Sequence, residues 1–281
     1  MIIWLASYPK SGNTWVRSMV AALMHTDDGE FHFDLLDQIK QFPIKNYFTN
    51  FTNDFGDINE IKKHWLSAQD LINLDNKVKF LKTHHINCKI DQYNFTDKKN
   101  TLATIYIVRD PRNLVKSISN HFSKSLEESK KFLLTTRLIG GSNLEKNSVK
   151  TLLGSWSDHY KFWKNNNKNF LLIKYEDLLE NTNSELIKII TFIKKFTPIQ
   201  TNDIKNKNII RTTSFNHLKN LEEKGGFKEN AHDRTDKAIN KKKKFFYLDP
   251  DNNWKDSLDK KIKDEIEFEL STEMKELGYL Y

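Results

Sequence analysis

Residues 2–20, IIWLASYPKSGNTWVRSMV, predict a strand, a turn and a helix in succession. The apolar run Ile2–Ala6 is typical of a buried strand, and Thr14–Met24 places its apolar side chains at helical spacing. Lys10 and Gly12 lie in the turn between them. The first question is therefore what a lysine and a glycine do at the beginning of a helix.

The turn has the composition of an anion-binding loop. Backbone N–H groups at a helix N-terminus bind anions, Gly12 lets the backbone come close, and Lys10 adds a mobile charge. We expect Asn13 and Thr14 to cap the helix and to donate to phosphate oxygens. An ordinary strand-to-helix turn with a polar cap has the same local pattern and stays open at this point.

Composition limits the classes of protein to consider. The chain has 281 residues, and its single cysteine, Cys88, excludes an internal disulfide framework and favours a reducing, cytoplasmic location. No apolar run has the form of a signal peptide or a transmembrane helix. The net charge of +8 favours an anionic ligand, either nucleic acid or a small polyanionic cofactor.

Apolar runs alternate with helical patterns along the rest of the chain. This alternation predicts an α/β fold with a mainly parallel central sheet flanked by helices, in a single domain spanning 1–281. Acceptor-site insertions are expected within the irregular segments 27–76, 124–150 and 222–250. The further predicted strands are Val78–Lys82, Ala103–Val108 and Phe170–Lys174, and the further predicted helices are Asn113–Phe122, Leu152–Trp163, Ser184–Phe196 and 257–277.

A second strand–turn–helix reads IYIVRDPRNLVKSISNHF, residues 105–122. Arg109 follows the strand, and Ser117 lies just over two helical turns further on. The planar guanidinium suits phosphate because it can donate two parallel hydrogen bonds, and a serine hydroxyl can add a third. The structural alternative is an ion pair between Arg109 and Asp110 or another acid.

The stretch KFLKTHHINC, residues 79–88, ends a predicted strand with Lys82, His84 and His85. Ligands gather at the carboxyl ends of parallel strands, and a histidine there is suited to general-base catalysis. A capped or surface histidine is the structural alternative. Further on, Trp156, His159 and Trp163 share one helix face, which we expect to be core.

The motif Y-P-K-S-G-N-T-W closely resembles the 5′-phosphosulfate loop of the sulfotransferase family, and the Arg-Asp-Pro turn and K-T-H resemble other family motifs. The resemblance implies a P-loop-like nucleotide-binding sulfotransferase fold and the donor 3′-phosphoadenosine 5′-phosphosulfate (PAPS). It assigns the 3′-phosphate to Arg109 and Ser117. The other implied donor contacts are Lys10, Ser11, Gly12, Asn13 and Thr14 with the phosphosulfate, and Trp15, Tyr175, Thr213 and Phe215 with adenine.

The resemblance also implies a reaction: in-line transfer of the sulfuryl group to a hydroxyl or amine, with adenosine 3′,5′-bisphosphate as the product. His84 would be the general base, with His85 the less favoured alternative, and Lys10 and Lys82 would stabilise charge. No metal is expected. The acceptor would be a small molecule, or a glycan or lipid; we expect no nucleic-acid partner and no stable membrane insertion, and a homodimer is left open.

The chain departs from the family near its C-terminus. Tyr247, Leu248 and Asp249 stand where the family has an Arg-Lys-Gly turn at the 3′-phosphate. We favour replacement of this charge by Lys241–Lys244 or Arg234, while weaker donor binding and a different donor are the other interpretations. The rival functions are a kinase-like phosphotransferase, disfavoured because Lys10 precedes the glycine, and a non-catalytic polyanion-binding protein.

Overall fold

The structure is a computed structural model that describes residues 1–141, 147–225, 227, 244–246, 248 and 252–281. The described residues form eight strands and thirteen α-helices. The strands are β1 (Ile2–Ser7), β2 (Lys79–Thr83), β3 (Lys89–Ile90), β4 (Tyr93–Asn94), β5 (Thr101–Val108), β6 (Leu138–Ile139), β7 (Thr151–Leu152) and β8 (Phe170–Lys174). The helices are α1 (Asn13–His25), α2 (Ile58–Ile61), α3 (Trp65–Ile72), α4 (Pro111–Phe122), α5 (Leu126–Leu134), α6 (Trp156–Asn165), α7 (Tyr175–Glu180), α8 (Thr182–Ile193), α9 (Asp203–Thr212), α10 (Phe215–Glu223), α11 (Trp254–Ser257), α12 (Lys260–Glu269) and α13 (Ser271–Glu276).

A four-stranded parallel sheet in the order β2-β1-β5-β8 lies at the centre of the fold. All six residues of β1 are buried, which is expected for a parallel strand covered on both faces. On one face, the Trp4 ring lies 5.6–5.9 Å from the rings of Phe42, Phe95 and Trp163. On the other face, Ile3 packs in a second cluster with the buried side of α1. The predicted α/β fold with a parallel sheet is confirmed.

The four predicted strands agree with β1, β2, β5 and β8 to within two residues at either end. Two helix predictions need correction. The helix predicted from Leu152 begins at Trp156, because Gly154 adopts a φ of +75° and Ser155 caps the helix, while Leu152 belongs to β7. The stretch predicted as one helix over 257–277 contains α12 and α13, which are separated at Leu270.

Because the sheet is parallel, the carboxyl ends of its strands lie at one edge. The turn of residues 8–12 follows β1, His84 follows β2, Arg109 follows β5, and Tyr175 follows β8. Four motifs that are widely separated along the chain are therefore carried to the same edge. Among the described helices, none combines the length and apolar character needed to cross a bilayer.

Candidate active site

A cavity of about 330 Å³ lies at the carboxyl edge of the sheet. Every one of the four strand ends contributes to its wall, through Lys10, Gly12, Lys82, His84, Arg109 and Tyr175. The rest of the wall includes residues of the three irregular segments: Gln41, Phe42 and Pro43; Ile139, Gly140 and Ser148; and Phe245 and Phe246. Its volume is in the range of small-molecule sites.

Gly12 shapes the turn between β1 and α1. It precedes the first helical residue with a φ of +97°, in the left-handed region that favours glycine. A Cβ at this position would lie 2.5 Å from Cδ2 of the Tyr175 ring. The backbone therefore passes close to Tyr175. Asn13 and Thr14, whose N–H groups have no acceptor within the helix, line the cavity together with Lys10.

The Asn13 side chain does not cap α1, so that prediction is wrong. Its Nδ2 donates to the Leu5 carbonyl at 2.9 Å and to Ser7 Oγ at 3.1 Å, and α1 has no side-chain cap. The amide thus braces the end of β1 against the start of α1. Ser11 is fully buried and does not line the cavity, but its Oγ has no hydrogen-bond partner among the described residues. A buried hydroxyl without a partner is rare in folded proteins, and this one lies within the turn itself.

The His84 ring has a defined tautomer. Its Nδ1 lies 2.8 Å from the backbone carbonyl of Ser7. A carbonyl oxygen only accepts, so Nδ1 carries the hydrogen, and in the neutral ring Nε2 holds the lone pair. Ser7 is also the residue to which the Asn13 amide donates, so the start of α1 and the His84 imidazole are joined through one residue of β1.

His85, the alternative base, is a core residue. Its ring is fully buried, stacks on Phe95 with centroids 4.1 Å apart, and is absent from the cavity wall. Burial lowers the pKa of His85 to about 3, so the ring is neutral at ordinary pH. The position and burial of this side chain do not suit it to act as the base, which leaves His84 as the candidate.

The predicted core face of α6 is confirmed, since Trp156, His159 and Trp163 are all fully buried. His159 Nε2 lies 3.2 Å from the backbone carbonyl of His84, and its Nδ1 lies 2.8 Å from the Tyr106 hydroxyl. Trp163 Nε1 donates to the His85 carbonyl at 2.9 Å. Helix α6 thus fixes the backbone of His84 and His85 through these two hydrogen bonds.

The two buried histidines predict an acid-sensitive fold. Burial lowers the pKa of His85 and His159 to about 3, against about 6.5 for histidine in an unfolded chain. As pH falls below 6.5, the unfolded chain takes up these protons first, so stability is full above that pH and declines below it. Between pH 7.5 and 5.5 we expect a loss of about 2–3 kcal/mol in the free energy of unfolding, measured by urea titration. In a His159→Gln variant, the free energy of unfolding should fall by about half as much over the same pH range, because one of the two histidines is gone. A variant with the same pH dependence as the wild type would contradict this account.

Arg109, which follows β5, is a buried cation at the cavity wall. It is 2% exposed, and its guanidinium carbon lies 4.1 Å from the centroid of the Tyr175 ring. Asp110 caps α4 and pairs with Arg112 at 2.6 Å. The alternative of an ion pair between Arg109 and Asp110 or another acid stays open. Stacking fixes the plane of the Arg109 guanidinium at the cavity wall, a geometry suited to phosphate.

Two lysines add charge to the same cavity. Lys10 adopts a φ of +69°, and its Nζ lies 3.6 Å from the centroid of the Phe245 ring. Lys82 is 6% exposed and lies opposite Leu5 in the sheet register. With Arg109, these side chains give the cavity three cationic residues from three strand ends, an arrangement that favours a polyanionic ligand.

Aromatic rings line another part of the cavity. Trp15 meets Tyr175 edge to face with centroids 5.8 Å apart, and Phe215 meets Phe246 in the same way at 5.9 Å. Such faces suit a purine. Sequence reasoning missed Phe246 and its neighbour Phe245, whose only signal is an aromatic pair after a lysine run. Their backbone N–H groups donate to the buried carboxylate of Glu222 at 2.6 and 3.0 Å.

Besides Ser11, two further predicted donor contacts, Ser117 and Thr213, do not line the cavity. Ser117 is 6% exposed and accepts a hydrogen bond from Asn252. Thr213 is fully buried, and its hydroxyl donates to the Ile209 carbonyl at 2.7 Å. Thr213 is thus committed to the end of α9, and its assignment to adenine stays a prediction from the resemblance.

Most of the residues expected to replace the charge of the Arg-Lys-Gly turn lie outside the described residues. Tyr247 and Asp249 lie outside the described residues, as do Arg234 and Lys241–Lys243. Lys244 is described, and its Nζ pairs with Glu223 at 2.7 Å. Within the described ranges no cluster of three or more His, Cys, Asp or Glu is arranged to hold a metal.

The chain is similar in sequence to known sulfotransferases. Sulfotransferase 1E1 of Rattus norvegicus is 28% identical over 227 residues, which cover 77% of this chain and 65% of that protein. Cytosolic sulfotransferase 13 of Arabidopsis thaliana is 25% identical over 278 residues, covering 94% of this chain and 74% of that protein. The chain thus spans somewhat less than two thirds of the length of the rat relative.

The fold has a counterpart among solved structures. The crystal structure of mouse sulfotransferase SULT7A1 complexed with PAP matches with a TM-score of 0.61 and 21% identity, covering 98% of this chain and 84% of that chain. A family model described as the sulfotransferase domain matches residues 2–278. This chain therefore belongs to the sulfotransferase domain family.

Proposed function

We propose that this protein transfers a sulfuryl group from PAPS to a hydroxyl or amine of a small-molecule acceptor. The observation that carries the proposal is the convergence of four strand ends on one cavity, where a phosphate turn, three cations, an imidazole and aromatic rings meet. A polyanionic purine nucleotide matches this combination of charge and stacking surface. Its sulfate would then face His84, since both belong to the same edge of the sheet.

Different residues of the chain would hold the different groups of the donor. The N–H groups at the start of α1, with the orphaned Ser11 hydroxyl beside them, suit the 5′-phosphosulfate. The planar Arg109 guanidinium suits a terminal phosphate, because a guanidinium can donate two parallel hydrogen bonds to phosphate oxygens. Trp15 and Phe215 suit the purine, because each presents an aromatic ring to the cavity.

The donor supplies the sulfuryl group: the acceptor oxygen or nitrogen bonds to sulfur as the bond to the bridging 5′-phosphate oxygen breaks, and adenosine 3′,5′-bisphosphate leaves. Nε2 of His84 takes the acceptor proton, since Nδ1 already donates to the Ser7 carbonyl. Lys10 and Lys82 stabilise the negative charge that develops on the leaving oxygen and the transferring group. Positioning and fixed charges provide most of the acceleration.

The acceptor would enter beside β2. Gln41 forms a parallel bridge with Lys82, and the Phe42 N–H donates to the Lys82 carbonyl at 2.8 Å, so this segment runs next to the strand that ends at His84. Ile139 and Ser148 complete this part of the wall. The mixture of apolar and hydroxyl-bearing side chains suits a small organic molecule with at least one polar group.

A ligand panel followed by a transfer assay tests the proposal. Adenosine 3′,5′-bisphosphate should raise the melting temperature by several degrees at 100-fold excess over Kd, since such an excess adds about 2.7 kcal/mol of stability. ATP with Mg²⁺ should raise it much less. Incubation with PAPS and a panel of phenols, alcohols and amines should then yield products heavier by one sulfuryl group. A larger effect of ATP with Mg²⁺ would favour a phosphotransferase, and binding that falls steeply with salt without regard to the 3′-phosphate would favour a polyanion-binding protein.

A further inference from the structure

Asn252 lies buried against the helix that carries Ser117. Its side chain is 7% exposed, and Nδ2 donates to the Asn113 carbonyl at 2.9 Å and to Ser117 Oγ at 3.1 Å. These two acceptors use both hydrogens of the carboxamide. The contact joins residues 135 positions apart in sequence, and the sequence of the strand–turn–helix motif at residues 105–122 gives no sign of it.

The orientation of the Asn252 carboxamide is set by its neighbours. The Asn113 carbonyl only accepts, so nitrogen must face it; the oxygen of Asn252 is buried and has no hydrogen-bond partner within the described ranges. Two further contacts join the neighbouring Trp254 to the first turn of α4. Trp254 N donates to Asn113 Oδ1 at 2.8 Å, and the Arg112 guanidinium stacks on the Trp254 ring at 4.1 Å.

This arrangement changes what the Ser117 hydroxyl can do. A serine inside a helix commonly donates to the carbonyl four residues earlier, which for Ser117 is that of Asn113. Asn252 Nδ2 occupies this carbonyl in addition to the helical N–H, so both of its lone pairs are used. The same nitrogen donates into Ser117 Oγ. The hydroxyl proton is thereby released from the helix and available to another acceptor.

Ser117 does not itself line the cavity, but it lies one helical turn from a residue that does. It precedes His121 by four residues on α4, and His121 and Arg109 both contribute to the cavity wall. We propose that Asn252 is a positioning residue that turns the Ser117 hydroxyl outward as a donor to the 3′-phosphate of the nucleotide. This inference rests on the proposed function. The Ser117 hydroxyl would then be an uncharged donor at the 3′-phosphate. At the aligned positions 247–249, this chain lacks the two cations that the family resemblance led us to expect.

Nucleotide discrimination tests the inference directly. For each variant, the affinities for adenosine 3′,5′-bisphosphate and adenosine 5′-phosphate are measured by calorimetry, and their ratio is compared with that of the wild type. Asn252→Ala should lower the affinity for the bisphosphate by roughly tenfold or more, because the Ser117 hydroxyl then donates to the Asn113 carbonyl. The affinity for the monophosphate should be nearly unchanged. Ser117→Ala should do the same, and the double variant should be no worse than either single one.

Asn252→Asp is the second variant, since it preserves the shape of the side chain. Its carboxylate draws the Ser117 proton to itself, so the bisphosphate should again be weakened selectively. Asn253→Ala is the matched control: this neighbour is exposed and caps α11, and it should leave the ratio unchanged. Equal losses for both nucleotides, or additive effects of Asn252→Ala and Ser117→Ala, would overturn the inference. A wild-type protein that does not prefer the bisphosphate would instead overturn the proposed function, and this inference with it.

Discussion

Replacing His84 by asparagine is expected to lower kcat by about 10²–10⁴-fold, the usual contribution of a general base. Asparagine can still donate an N–H near the position of Nδ1, and so can keep the hydrogen bond to the Ser7 carbonyl that orients the native ring. It offers no basic nitrogen at the position of Nε2. The turn that would hold the donor is not altered, so affinity for adenosine 3′,5′-bisphosphate should stay within about threefold of the wild type.

The measurement is transfer from labelled PAPS, with nucleotide affinity determined in parallel. His25→Asn is a matched control, because His25 is an exposed histidine at the far end of α1 and is absent from the cavity wall. This control should retain full activity. If His84→Asn turns over at near the wild-type rate, His84 is not the base, whereas a parallel loss of nucleotide binding would show that the ring shapes the donor site instead.

The second large effect is expected at Arg109. Arg109→Ala should weaken adenosine 3′,5′-bisphosphate by about 10²-fold or more, since each charge-assisted hydrogen bond contributes about 1.5–3 kcal/mol and the guanidinium can make two. Adenosine 5′-phosphate should lose only a few-fold, on the order of a long-range charge effect. Arg109→Lys should recover little, because a lysine has no planar guanidinium to lie flat on the Tyr175 ring and to donate two parallel hydrogen bonds.

Arg137→Ala provides the comparison for this experiment. Its guanidinium also stacks on an aromatic ring, that of Phe132 at 4.3 Å, but it is absent from the cavity wall. Affinity for both nucleotides should be unaffected by this change. If Arg109→Ala weakens the two nucleotides by the same factor, the assignment of Arg109 to the 3′-phosphate fails.

The sequence predicted the central sheet well, because its signal is local and strong. Four short apolar runs, each bounded by polar residues, correspond to β1, β2, β5 and β8. The positions of Lys10, His84 and Arg109 then follow from one general property of parallel sheets, namely that strand ends share an edge. These parts of the candidate site needed no knowledge of side-chain packing.

Other parts of the site depend on contacts that spacing does not encode. His84 and His85 are adjacent and chemically identical in the sequence, and only the packing of Phe95 shows that one of them is buried. Asn13 has the residue type of a helix cap, yet the carbonyl of Leu5 and the hydroxyl of Ser7 draw its amide toward the strand. Asn252 gave no signal at all, because its partners lie on a helix more than a hundred residues away.

The groups proposed to carry out group transfer come from the strand ends of the sheet, while other parts of the wall come from Gln41–Pro43, from Ile139, Gly140 and Ser148, and from the Phe245–Phe246 pair. The proposed function thus assigns the transfer chemistry and the choice of acceptor to different parts of the cavity wall. A lineage built on this plan can exchange its surface segments and acquire a new acceptor while inheriting the same transfer machinery. For protein engineering, these segments are the natural place to graft diversity.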